Sequence, residues 1–170
     1  MHRIVTKEPM RASSGFTLVE LVVVIALMSV MVAIAAPRFA NGDIFETRGD
    51  AGLLSSTLRY AQKTAIAQRT SVYVITNNAA IPNTVTLCFV NGVNCQAGRE
   101  VINPETEGPY VMTFSRNVGV QPSSNVLEFR GLGQPLINAI NAGATYTVAN
   151  RNRPAQSIVV NVEAETGYIR

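Results

Sequence analysis

Histidine occurs once, at His2, and tryptophan not at all. If the N-terminus is removed, the mature chain has no histidine. Ser-His-Asp, Cys-His and His-metal chemistry are then closed to it. Charged residues make up only 15% of the 170 residues, with a formal net charge of +3. With 47% hydrophobic residues the chain is not of the disordered class. Twelve glycines exclude a collagen-like repeat, and two cysteines exclude a disulfide-dense scaffold. An enzyme is disfavoured from the outset, and no cofactor is expected. The length suits one domain with an appended segment.

The little charge there is sits unevenly. The first fifteen residues carry Arg3, Lys7 and Arg11 against Glu8, while the remainder is close to neutral. A near-neutral body lacks the basic footprint that phosphate binding needs, so nucleic acid is not an expected partner. A basic leader ahead of an apolar run instead holds that end in the cytoplasm.

That run extends from Phe16 to Ala36 and reads FTLVELVVVIALMSVMVAIAA. As a helix it is about 32 Å long, close to the ~30 Å hydrocarbon core of a bilayer. It is apolar all round, unlike an amphipathic core helix. Two ways of processing it compete. In one, Ala33-Ile34-Ala35 is a signal-peptidase site, and a secreted binding domain begins at Ala36. Glu20, the one charged residue in the run, weighs against this. A carboxylate in a membrane helix costs up to ~3 kcal/mol, which a discarded signal has no reason to carry.

In the other, the cut falls between Gly15 and Phe16. Phe16 then gains an α-amine with a reference pKa near 7.7–8.0, mostly protonated at pH 7. Glu20 lies four residues on, about one helical turn away. Amine and carboxylate can pair within a chain or between neighbouring helices. In hydrocarbon such pairing matters far more than in water.

Ser14-Gly15-Phe16-Thr17-Leu18-Val19-Glu20 and the apolar run resemble the class III prepilin signal of type IV pilins and type II secretion pseudopilins. The resemblance implies cleavage after Gly15 by prepilin peptidase, N-methylation of Phe16 and an assembly role for Glu20. It also implies a helix kink at Pro37. A looser resemblance rests on Pro37-Arg38-Phe39, Leu58–Lys63, Ala65-Ile66-Ala67 and Thr166-Gly167-Tyr168. It points to the minor H-type pseudopilin and FimT-like group, nearest the C-type minor pilins of mannose-sensitive haemagglutinin pili. The implied partners are prepilin peptidase, other pilins or pseudopilins, and the inner membrane, with the head periplasmic. A pilus-tip role in adhesion or DNA contact is the remaining alternative.

The chain divides into a leader (1–15), an assembly helix (16–39), an amphipathic second half of the helical spine (40–69) and a β-rich head (70–170). Asn41-Gly42 loosens the helix, and Asp50 is expected to start its second stretch. Leu54, Leu58, Ala61 and Ala65 recur at helical steps. Beyond Arg69, six segments rich in Val, Ile, Thr, Tyr and Phe are separated by turn residues: 71–76, 84–90, 110–114, 126–130, 144–149 and 157–162. They predict an antiparallel, sandwich-like head packed on the long helix, an α+β fold.

Asn91-Gly92 predicts a two-residue hairpin turn that sets Cys88 directly across from Cys95, at about 5.5 Å between Cα atoms. An oxidising periplasm then favours a disulfide. Two cysteines without histidine are too few to hold a metal. Glu100, Glu105 and Glu107 match no calcium-loop spacing and read as a solvated acidic loop. Arg151 and Arg153 form a small basic pair, too weak on its own to hold DNA at physiological salt.

Overall fold

The computed structural model describes residues 16–39, 42–92 and 94–170. Two compact units result, divided between 41 and 42. The first contains helix α1, Leu18–Phe39, and the second contains everything from Gly42 onward.

The second unit opens with helix α2, Gly42–Gln68. Leu54, Leu58, Ala61 and Ala65 are all fully buried, so the apolar stripe is the face that packs. The helix starts eight residues before Asp50, which therefore does not begin it. The Asp50 carboxylate is buried and accepts hydrogen bonds from Ser115 N (2.8 Å) and Ser115 Oγ (3.3 Å). It satisfies a turn of the head rather than its own helix, a partnering that a local capping pattern does not reveal.

Among the described residues nine strands follow: β1 (Val72–Asn77), β2 (Thr84–Cys88), β3 (Val111–Thr113), β4 (Val118–Pro122), β5 (Val126–Phe129), β6 (Pro135–Ile137), β7 (Ile140–Asn141), β8 (Ala144–Asn150) and β9 (Ser157–Val162). They form a six-stranded sheet in the order β3-β2-β1-β5-β6-β7 and a three-stranded sheet, β4-β8-β9. All pairings are antiparallel. Alternation sets the inward faces. Val85 and Leu87 of β2, Leu127 and Phe129 of β5, and Tyr146 and Val148 of β8 are buried. Helix α2 touches strands of both sheets, and one hydrophobic core joins all three.

The predicted hairpin is corrected. Neither Asn91 nor Gly92 has the positive φ that a type I′ turn requires. Cys88 bridges to Glu100 instead of Cys95, and Phe89 N donates to Arg99 O at 2.8 Å. The chain turns back around Gly98, whose φ of +79° suits glycine. A disulfide nevertheless joins Cys88 to Cys95 within this longer loop, with the Cα atoms 5.6 Å apart.

Candidate assembly helix and head surface

Thr17 opens α1. Its hydroxyl accepts a hydrogen bond from Glu20 N at 3.2 Å, and its carbonyl accepts one from Leu21 N at 3.2 Å. Thr17 is thus the N-cap and Glu20 the third helical residue, the T-x-x-E arrangement of a capping box. Sequence reasoning passed over Thr17, although this spacing was there to be read. The cap fixes where helix begins, and so fixes Glu20 in the first turn with Phe16 just outside. A carboxylate there complements the positive end of the helix dipole, worth about 0.3–1 kcal/mol at an exposed site. The Glu20 carboxylate makes no ion pair or hydrogen bond among the described residues.

Every side chain from Phe16 to Ile34 is exposed. Within α1, Leu18–Ala35 is long and apolar enough to cross a membrane, with a mean hydropathy of 2.8. Contiguous apolar surface on this scale needs a partner, in lipid or protein. Gly15, the residue before the expected cut, lies outside the described residues. Pro37 falls inside α1, two residues before the helix ends at Phe39. The Ala33-Ile34-Ala35 match lies on the same helix.

The weaker constellations have local explanations. The Glu100 carboxylate accepts a hydrogen bond from Gly98 N at 2.6 Å and so holds the turn that follows the disulfide. Glu105 and Glu107 stand exposed on the 103–108 turn. Among the described residues no group of three or more His, Cys, Asp or Glu gathers as a metal site. The Arg151 guanidinium donates to Asn83 Oδ1 at 2.7 Å.

Asn83 is a residue that sequence reasoning missed. It is almost fully buried. Its amide nitrogen donates to Ala80 O (3.0 Å) and Asn77 O (3.4 Å), while its Oδ1 also accepts Val120 N (3.2 Å). It fastens the β1–β2 connection of one sheet to β4 of the other.

An apolar, capped helix ahead of a helix-backed, two-sheet head is the architecture of a pilin-like subunit. Residues 10–36 match the prokaryotic N-terminal methylation motif. A search of curated proteins by sequence gives no significant match. The fold is shared with the type IV minor pilin FimU of Pseudomonas aeruginosa, at a TM-score of 0.58 and 14% identity, over 74% of this chain and 87% of that one. It is shared equally with EpsH, a minor pseudopilin of the Type 2 Secretion System of Vibrio cholerae. There the TM-score is 0.56 and the identity 12%, over 74% of this chain and 94% of that one. The chain thus carries the methylation motif at residues 10–36 and shares its fold with a minor pilin and a minor pseudopilin.

Proposed function

We propose that the chain is a minor pilin or pseudopilin subunit that enters a filament through α1. One observation carries this: the methylation motif runs into a capped helix whose apolar side chains are exposed among the described residues. The basic leader keeps the N-terminus cytoplasmic, α1 spans the inner membrane once, and the head faces the periplasm. Prepilin peptidase cuts between Gly15 and Phe16, and Phe16 is N-methylated. Methylation keeps the terminal nitrogen a cation. Glu20, held in the first turn by the Thr17 cap, accepts the Phe16 ammonium of a neighbour. Pro37 kinks the helix where it leaves the membrane.

Energetically, transfer of α1 from lipid into a bundle of like helices leaves apolar burial nearly unchanged. Specificity then comes from the one pair of charges that must be matched. Displacing the helix along its axis leaves Glu20 unpaired in an apolar surrounding, which is far costlier than in water. Glu20 therefore fixes the axial register between subunits. The scattered motifs of the H-type, FimT-like group favour a minor over a major subunit. The neighbours in fold include both a pilus and a secretion subunit, so either filament suits the geometry.

The N-terminus of the membrane-associated protein tests this reading. Intact mass and N-terminal sequencing should find a chain beginning at N-methylated Phe16. A chain beginning at Ala36 would make α1 a discarded signal and remove Glu20 from any assembly.

A further inference from the structure

The head carries two exposed surfaces of complementary chemistry on opposite sides of β1. The first is an open cleft of about 690 Å³ where the end of α2 meets the β5–β6 turn. Arg69 and Arg130 line it together with Ile66 and Leu132. Leu132 is 84% exposed and Ile66 47%. Among the described residues neither guanidinium makes an ion pair.

The cleft is rigid. Arg69 ends α2 with φ at +50°, and its neighbour Thr70 N reaches back to Ala65 O at 3.2 Å. This is the left-handed helix terminus where glycine is the usual residue, and a side chain there costs about 1 kcal/mol. On the facing turn, a Cβ at Gly131 would lie 2.9 Å from the Arg69 backbone. The two backbones are in contact, so both arginines are held at fixed places.

The second surface is the turn between the Ile102–Pro109 bridge. Glu105 and Glu107 are exposed on it, beside an exposed Ile102. It is pinned too: Tyr60 Oη donates to Ile102 O at 3.1 Å, and Glu105 N donates to Asn103 Oδ1 at 2.9 Å. It belongs to the β2–β3 connection, whereas the cleft belongs to the β5–β6 turn.

We propose that the cleft seats the 102–108 turn of a second copy of this chain, Glu105 and Glu107 against Arg69 and Arg130 with Ile102 beside Leu132. Two acids with an apolar residue answer two bases with an apolar residue, which is what steers and registers such contacts. The two surfaces are different patches, so the contact is heterologous and repeats from head to head without closing a pair.

A photo-crosslinker, p-benzoylphenylalanine, placed at position 132 of the full chain in detergent tests this. The expected product is a dimer whose cross-linked tryptic peptide is Glu100–Arg116. Arg69→Glu with Arg130→Glu, or Glu105→Arg with Glu107→Arg, should lower its yield about tenfold, and the four changes together should restore it. Glu20→Ala should leave it unchanged. Cross-links that map elsewhere, persist in either pair of reversals, fail to return in the combined variant or vanish with Glu20→Ala would each overturn the proposal. The last outcome would make head contact a by-product of helix bundling. Processing at Ala35 instead of Gly15 would overturn the filament role of α1 without touching this contact.

Discussion

The two helices of this chain are of similar length, 22 and 27 residues, yet they are built for different surroundings. Helix α2 has one buried stripe, and that stripe is consumed by the two sheets of its own head. Helix α1 is apolar on every side, and none of the side chains of Leu18–Ala35 is buried. The hydrophobic effect stabilises the head through the buried stripe of α2. What α1 offers is exposed apolar surface, which in the function proposed above meets lipid before assembly and other helices afterwards. In one chain, the same kind of side chain serves folding in one helix and association in the other.

The sharpest way to break this contrast is to truncate one leucine in each helix. Leu58 is fully buried and Leu27 is exposed. Leu58→Ala should cost about 2–5 kcal/mol of head stability through lost transfer energy and the cavity left behind. Leu27→Ala should leave head unfolding within about 0.5 kcal/mol of the parent. Near-UV circular dichroism of the full chain in detergent, followed through thermal unfolding, reads the tyrosines and disulfide of the head directly. Equal losses from the two substitutions would mean that α1 is part of the folding unit after all.

Within the head the corresponding comparison is between the two sheets. They share α2 as a cover, and Asn83 ties them by hydrogen bonds. Asn83→Ala would strand the Val120 N–H and two carbonyls in a buried site, at about 1–3 kcal/mol. The loss should be visible in urea unfolding, and hydrogen exchange should rise first at β4, the edge strand that Asn83 holds. Uniform exchange across both sheets would show that α2 alone suffices to join them.

The residues explain why some of this was legible in the sequence and some was not. The motif around Gly15 and Phe16, the apolar run and the Leu54–Ala65 stripe are local and periodic, and all bear on elements that pattern alone describes. Strands β1, β2, β3, β5, β8 and β9 lie in segments with enough Val, Ile, Thr, Tyr and Phe to announce themselves. β4, β6 and β7 did not: VGVQP contains glycine and ends in proline, PLI begins with proline, and β7 is two residues long. Their pairing comes from neighbours distant in sequence, which override weak propensity. Asn91-Gly92 misled because the Cys88–Glu100 and Phe89–Arg99 pairings carry the strand past it. Asn83 and Asp50 act across the fold, on partners 37 and 65 residues away, and no local window contains such information.

The smallest effect at neutral pH tests the seam of the sheets most finely. Tyr146 of β8 is fully buried, its hydroxyl near that of Thr76 in β1, and neither makes a well-formed hydrogen bond among the described residues. Burial raises the Tyr146 pKa well above the ordinary phenol value near 10. The unfolded chain therefore loses this proton first. Above about pH 10 the unfolded state binds fewer protons than the folded one. Stability then falls as pH rises, by about 1.4 kcal/mol per pH unit for this group, until the folded phenol itself ionises. Tyr73 shifts in the same direction, chiefly by desolvation and then by the Glu128 carboxylate, but it lies nearer solvent. Tyr146→Phe removes a buried hydroxyl that makes no well-formed hydrogen bond, so at pH 7 it should change stability by less than about 1 kcal/mol. At pH 11 the same variant should be the more stable protein. Urea midpoints at the two pH values decide it: an equal alkaline loss in parent and variant would mean that Tyr146 ionises as freely in the folded head as in the unfolded chain.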